Sequence, residues 1–329
     1  MKKIDKTCSG ILDFIRGQDN FIITTHLSAD GDAYGAALSV AFLLNQLGKS
    51  YDIVLHDQEK QIKYKYMWGW EDVLHYSENW PKTYDAGIVV DVPSQTRIGD
   101  PASLLPAPAN CVKIDHHPIE ENFSDYNLVE TAASSTCQLI YEIIVRSGIE
   151  FNYDVANLLL SGIMYDTGRF SFSNTNKRDF EIAAHLLSYD VNPNLVASHL
   201  FFNNDFESMK TIGYGLANMK SPLNGKVCLI YLPLDIMQRA EKLDIEELAN
   251  YSLAVEDVEV GLFIRQPEPD FIKVSFRSKG LVDVNKVARS FGGGGHVHAA
   301  GCRVRGNPEE LMQQIINKIN DQLKEPVAS

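Results

Sequence analysis

The sequence predicts an α/β protein: a parallel sheet flanked by helices, then a smaller mixed α/β C-terminal domain, with the active site expected in the cleft between them. Three observations carry this expectation. Short apolar runs alternate with helical patterns through the first half of the chain. Three of those runs end in, or just before, an aspartate or a histidine, and ligands of open α/β sheets bind beyond the carboxyl ends of the strands. At 329 residues the chain is too long for one typical core and suits two.

Taken in order, Phe21–Thr25 reads as a buried strand. Helical spacing over Asp32–Leu47 stops at Gly48, a natural C′ residue, before the next strand at Tyr51–Leu55. Gly87–Asp91 and Cys111–Asp115 repeat the short apolar run that ends in aspartate, and helices are expected over Ser134–Arg146 and Val155–Met164. The alternation predicts helices on both faces of the sheet. Breakers at Val191-Asn192-Pro193-Asn194 and Ser221-Pro222-Leu223-Asn224-Gly225 flank a helical stretch. The expected division is therefore a domain over 1–192, a linker over 193–221 and a second domain over 222–329. In the latter, Val227–Leu232, Val258–Arg265 and Phe271–Arg277 alternate like strands, with a turn at Pro267-Glu268-Pro269-Asp270. A strand at Ala299–Val304 and a helix at Pro308–Leu323 follow.

A composition of 45% hydrophobic and 22% charged residues is that of a globular protein. The net charge of −13 argues against a protein that grips long duplex nucleic acid, which needs a basic face. Small anionic substrates remain compatible where a bound metal supplies positive charge. Five scattered cysteines without a CxxC pair indicate neither a disulfide framework nor a zinc ribbon, and a reducing cytoplasm is the simplest setting. The N-terminus reads as no signal peptide, and Ala36–Leu44 is far shorter than the roughly 20 residues of a membrane span. No membrane partner is expected, and a homodimer follows only from base rates.

Five segments carry candidate chemistry. His26-Leu-Ser-Ala-Asp30-Gly-Asp32 joins a strand to a helix, and one imidazole with two carboxylates on a tight turn can converge on a cation. Its bland alternative is that Asp30 or Asp32 is a helix N-cap. Asp91 closes a very apolar run, where a carboxylate is costly unless paired or metal-bound; a loop cap is the alternative. Asp115-His116-His117-Pro118 places two histidines at a strand end, pointing in different directions, so one could ligate a metal while the other faces a phosphate or serves as a proton donor. In Tyr165-Asp166-Thr167-Gly168-Arg169-Phe170, Asp166 could complete a coordination shell and Arg169 could meet phosphate; an ordinary helix end is the alternative. Finally, Gly292-Gly293-Gly294-Gly295-His296 could surround an anion with backbone N–H groups, or be a mere linker.

In this order, the segments resemble the DHH phosphoesterase family, and the glycine-histidine segment resembles the C-terminal domain that accompanies one of its branches. The likeness runs from Phe21 to about Val304. Length and two-domain build are most similar to the bifunctional oligoribonuclease and 3′-phosphoadenosine 5′-phosphate phosphatase branch. The resemblance implies two divalent cations, Mn²⁺ foremost with Mg²⁺ or Co²⁺ as alternatives. His26 and Asp30 would hold one ion, Asp32, His116 and Asp166 the other, and Asp91 would bridge them. Asp115 would orient His116, and His117 would protonate the leaving oxygen. Arg277, Ser278, Gly293, Gly294, Gly295, His296 and Arg169 would bind substrate. The implied reaction is hydrolysis of short oligoribonucleotides and linear dinucleotides to mononucleotides, and of 3′-phosphoadenosine 5′-phosphate to AMP. Cyclic-dinucleotide phosphodiesterase, pyrophosphatase or exopolyphosphatase are the alternatives, and a non-catalytic nucleotide-binding module is a further one. Two departures bear on the branch: Ala29 stands where proline is expected, and Cys137-Gln138 where Ala-Glu is more usual.

Overall fold

The computed structural model describes residues 2–240, 243 and 245–324, and the chain divides into two units, Met1–Asn203 and Asn204–Ser329. In the first unit the elements run α1 (Lys2–Gly17), β1 (Phe21–Thr24), α2 (Gly31–Gln46), β2 (Tyr51–Leu55), β3 (Val73–His75), β4 (Ala86–Val90), β5 (Cys111–Asp115), β6 (Tyr126–Val129), α3 (Thr136–Ser147), α4 (Tyr153–Asp166), α5 (Lys177–Leu187) and α6 (Pro193–Phe201). The strands form one parallel sheet in the order β3-β2-β1-β4-β5-β6. Strand order reverses between β1 and β4, so a crevice opens at their carboxyl ends, the usual ligand position in such sheets. His26, Asp30 and Asp32 follow β1, Asp91 follows β4, and Asp115 closes β5.

The two faces of this sheet are covered differently, which refines the expectation of helices on both. Alternate strand residues Phe21, Ile23, Ile53, Leu55, Ile88 and Val90 pack into a large core that all six helices share. The opposite side chains, Ile22, Val54 and Val89, are covered by Tyr84, Trp80, Leu104, Leu105, Ile98 and Phe123, which lie in loops and 3-10 turns. Burial on both faces explains why the central strands β1 and β4 read as continuous apolar runs. Helix α2 is apolar nearly all round because it is buried over Gly31–Leu44. It packs on α4 at backbone distance, since a Cβ on Gly35 would fall 2.8 Å from the Leu158 carbonyl oxygen. A Cβ on Gly162 would fall 2.5 Å from Asp32 Oδ1 and still nearer Cys137 Sγ. This contact sets the α4 side chains against the start of α2.

The second unit contains α7 (Phe206–Ala217), β7 (Val227–Leu232), α8 (Leu234–Arg239), α9 (Glu247–Tyr251), β8 (Val260–Glu268), β9 (Phe271–Ser278), α10 (Val284–Arg289), β10 (Gly294–Gly295), β11 (Ala299–Arg305) and α11 (Pro308–Lys324). Its sheet, ordered β10-β11-β9-β8-β7, is mixed: β7 and β8 are parallel and the other pairs antiparallel. Helices α10 and α11 cover one face, and α7, α8 and α9 the other. Strand β8 runs on to Glu268, with Pro267 tolerated at a bulge after Arg265, beyond the last β7 pair.

The expected linker over 193–221 is not one. Residues 193–201 are helix α6, whose Val196 and Leu200 are buried in the first core, and 206–217 are helix α7, whose Ile212 is buried in the second. The breakers that suggested a linker are helix-start chemistry: Asn192 accepts a bond from Asn194 N–H as N-cap, and Pro193 occupies the first turn, where its missing N–H costs nothing.

Candidate active site

The turn after β1 is shaped by its own side chains and by Asp57. Asp30 caps α2, accepting from the N–H groups of Asp32 (3.0 Å) and Ala33 (3.1 Å) through Oδ1. The capping reading therefore holds for Asp30. It leaves the carboxylate able to ligate as well, because two oxygens offer about four lone pairs. Asp57, in the loop after β2, accepts from Ser28 N–H at 2.9 Å and Ala29 N–H at 2.8 Å. Ser28 needs that support, since it has φ of 58°, a left-handed conformation unusual for a residue with a Cβ.

Each histidine is fixed through one ring nitrogen. His26 Nδ1 lies 2.9 Å from the Leu27 carbonyl and His116 Nδ1 3.4 Å from that of Ala133. A carbonyl can only accept, so both Nδ1 atoms carry the proton and both Nε2 atoms face the cluster. His26 Nε2 lies 3.8 Å from Asp30 Oδ1 and 3.5 Å from Asp91 Oδ2; His116 Nε2 lies 3.0 Å from Asp166 Oδ2 and 3.5 Å from Asp91 Oδ1. Asp166 is the last residue of α4 rather than a loop residue after it.

Asp91 is central and strained. Its φ is 60°, its N–H donates to Ile114 at 2.9 Å, and its Oδ1 accepts from the Thr136 hydroxyl at 2.9 Å. A left-handed residue with a Cβ costs roughly 1–2 kcal/mol, and such outliers gather at functional sites. Asp32, fully buried, accepts from two N–H groups at the start of α3: Thr136 at 2.6 Å and Cys137 at 3.1 Å. The positive end of that helix thus grips one carboxylate by backbone and another by hydroxyl.

Asp115 binds its own neighbour in the chain: its Oδ1 lies 2.8 Å from His117 Nδ1 and 3.1 Å from the His117 backbone N. The reason is local, because the carboxylate folds over its own turn as an aspartate readily does. Behind it, the fully buried Lys113 places Nζ 3.4 Å from Asp115 Oδ2 and donates to the Pro93 carbonyl at 2.9 Å.

Three sets of ligand-capable atoms, His26-Asp30-Asp91, Asp32-Asp91-His116 and Asp91-Asp115-His117, each lie within 4.8 Å of one another, and all three share Asp91. Among the described residues none of Asp30, Asp32, Asp91 and Asp166 pairs with lysine or arginine. Burial, then repulsion from Asp166 and Asp91, pushes the Asp32 carboxyl well above its ordinary value, and burial also raises that of Asp166. Burial would do the same to Asp91, but the surrounding imidazoles outweigh it and hold its carboxyl far below the usual range. Burial works against a charged His116, yet the Asp166 hydrogen bond and the charges of Asp166, Asp91 and Asp32 push it up to about 10. Crowded buried carboxylates balanced only by imidazoles fit a site for hard or borderline cations.

Within the second unit the substrate-binding expectations divide. Arg277 donates to Asn250 Oδ1 (3.1 Å) and the Phe276 carbonyl (3.0 Å). Ser278 is buried; its hydroxyl donates to the Val282 carbonyl at 2.7 Å and accepts from Gly280 N–H at 3.0 Å, which makes it a clamp for its own turn rather than a ligand-facing group. The glycine run is not an open anion cradle. Gly294 and Gly295 pair with Gly301 and Ala300, while the N–H groups of Gly292, Gly293 and His296 donate to Arg289, Ala288 and Ala299. Glycine is required because a Cβ on Gly293 would meet the Gly301 carbonyl and Cys302, and Gly295 has φ of 144°.

A parallel sheet with a histidine-aspartate cluster at its switch point, joined to a mixed-sheet unit, defines a metal-binding two-domain hydrolase, and the comparisons give its family. The chain belongs to the DHH family of phosphoesterases: residues 20–163 match the DHH family N-terminal domain, and residues 224–325 match the DHHA1 domain. It is 30% identical over 326 residues, 93% of this chain and 97% of the relative, to the probable bifunctional oligoribonuclease and PAP phosphatase NrnA of Streptococcus mutans. The bifunctional oligoribonuclease and PAP phosphatase NrnA of Thermus thermophilus is 28% identical over 92% of this chain and 89% of its own, and that of Bacillus subtilis 29% over 87% and 90%. The crystal structure of an exopolyphosphatase-related protein from Bacteroides fragilis superposes with a TM-score of 0.88 at 25% identity, covering 98% of both chains. No described helix is long and apolar enough to cross a membrane.

Sequence reasoning missed Asp57, Lys113 and Thr136. The Ser134-Ser135-Thr136 start of α3 could have flagged Thr136. Asp57 is one acidic residue in a polar loop, and nothing local marks it.

Proposed function

We propose that this protein hydrolyses short oligoribonucleotides and linear dinucleotides to mononucleotides, and 3′-phosphoadenosine 5′-phosphate to AMP, with two Mn²⁺ ions. The observation that supports it most is the shared Asp91: the His26-Asp30-Asp91 and Asp32-Asp91-His116 clusters meet at one carboxylate, with no lysine or arginine ion pair to those carboxylates among the described residues. His26 and Asp30 would hold one ion, Asp32, His116 and Asp166 the other, and Asp91 both. Divalent cations in such a pair activate water and neutralise charge on the phosphoryl oxygens. The names of the NrnA relatives support the substrate class, and the net charge of −13 disfavours long strands, whose binding rests on phosphate neutralisation.

The protein's own groups do the rest. His117, its Nδ1 held by Asp115, would deliver a proton to the leaving oxygen from Nε2, and the ammonium of Lys113 balances Asp115 within the buried chain. In the second domain Arg277 and the His296 turn would bind a terminal phosphate; register places them together, since Arg277 pairs with Ala299 and Ala299 closes the turn on His296. Five free buried cysteines favour a reducing cytoplasm.

A Mn²⁺-dependent hydrolysis panel tests the reading: a 5′-phosphorylated RNA dinucleotide, a longer RNA, 3′-phosphoadenosine 5′-phosphate, a cyclic dinucleotide and pyrophosphate. Turnover of the dinucleotide and the adenosine bisphosphate is expected, and Asp91→Ala should abolish it together with metal binding. Turnover of pyrophosphate alone would overturn the substrate assignment, and near-normal activity of Asp91→Ala would overturn the shared-ligand role.

A further inference from the structure

The segment after Asp166 does not relax into an ordinary turn. Gly168, Arg169 and Phe170 have φ of 53°, 61° and 62°, three consecutive left-handed residues of which only the first is glycine. That conformation is unfavourable for a residue with a Cβ, and here it is held by hydrogen bonds. Ser171 and Phe172 N–H groups donate to the Thr167 carbonyl, both at 2.9 Å, and Phe170 N–H donates to Thr167 Oγ1 at 3.1 Å.

The result is the placement of one cation. The Arg169 guanidinium lies over the rings of Phe201, at 4.9 Å, and Phe202, at 5.3 Å. The Phe201 ring stacks on Tyr165 at 6.2 Å and 16°. The Tyr165 ring in turn fills the space beside Gly31, where a Cβ would fall 2.6 Å from it. Gly31 separates Asp30 from Asp32, so a continuous row of flat side chains leads from the ligand turn through Tyr165 and Phe201 to Arg169 and Phe202. It ends in solvent, for Phe202 is 66% exposed.

We propose that this row is a nucleobase platform: with a nucleotide phosphate at the histidine-aspartate cluster, the attached base stacks on Phe202 and the Arg169 guanidinium. The proposal rests on the phosphoesterase reading above and names what that reading leaves open, the means of holding the base. A ring and a guanidinium give π surface and positive charge without reading a base edge, so the platform would accept any base.

The test uses the full-length Mn²⁺-loaded protein, Phe202→Ala and Phe202→Trp, an RNA dinucleotide, and the same dinucleotide without bases. Phe202→Ala should raise KM for the RNA dinucleotide about 10-fold, leave KM for the abasic one and kcat for both unchanged, and be rescued by Phe202→Trp. Equal changes for both substrates, or none, would overturn the platform. Calorimetric binding of AMP to the same proteins separates the two readings. Binding weakened about 10-fold by Phe202→Ala, with no turnover by wild type, would keep the platform and sink the hydrolase assignment. Equal AMP affinity in wild type and Phe202→Ala would remove the platform, whatever the turnover.

Discussion

Asp57 shows how much of a metal site lies outside its ligands. Its carboxylate spans the N–H groups of Ser28 and Ala29, and its carbonyl accepts from His75 Nδ1, so it ties the ligand turn to the second strand's loop. Groups that orient ligands typically change metal affinity 10- to 100-fold when removed. Asp57→Ala should therefore weaken Mn²⁺ binding by about 10-fold, measured by calorimetry, while Asp57→Asn, which keeps one acceptor, falls between. Unchanged affinity in Asp57→Ala would mean that the turn holds its shape through Asp30 alone. Ala29 fits this arrangement: a proline there would have no N–H to give.

Elements were legible in the sequence where burial imposed a pattern, and illegible where one hydrogen bond decided. Tyr51–Leu55, Cys111–Asp115 and Val227–Leu232 form strands at their expected bounds because each carries a short apolar stretch that the sheet buries. Asp91 and Asp115 stood out in the sequence because each closes a strand's short apolar run. Pro193 was misread, since a proline looks the same in a linker and in a first helical turn. The directions of the Ser278 and Asp115 side chains were not legible, because a side chain's direction is set by neighbours across the sheet or turn. Close helix packing was equally hidden, and it makes the element-scale prediction. Gly162→Ala places a methyl against Cys137 Sγ and Asp32 Oδ1, so it should destabilise by about 1–3 kcal/mol and weaken metal binding. Gly10→Ala, in α1 with nothing within 4 Å, should stabilise by about 0.5–1 kcal/mol. Denaturant unfolding of both variants checks the pair, and a stabilised Gly162→Ala would show that α2 and α4 need no close approach.

At the scale of the molecule, the site links stability, protons and metal. Without cations the carboxylates are balanced by protonated imidazoles, with His116 pushed up to about 10 and His26 well above its ordinary value. A raised histidine pKa stabilises the fold fully below the unfolded value of 6.5, and that contribution is lost as pH climbs through about 10. Asp91, held low, contributes in the opposite sense: its share is present above the ordinary carboxylate range and fades only in acid. The metal-free protein should therefore lose stability as pH rises from about 6.5 to about 9. Cations that take the Nε2 atoms of His26 and His116 replace those protons, so binding releases them and strengthens with pH. The difference in Tm between Mn²⁺-loaded and metal-free protein should accordingly widen across that range, and calorimetry in buffers of different ionisation enthalpy should register proton release near neutral pH. A difference that narrows with pH, or binding without proton release, would mean that these imidazoles are not where the metal binds.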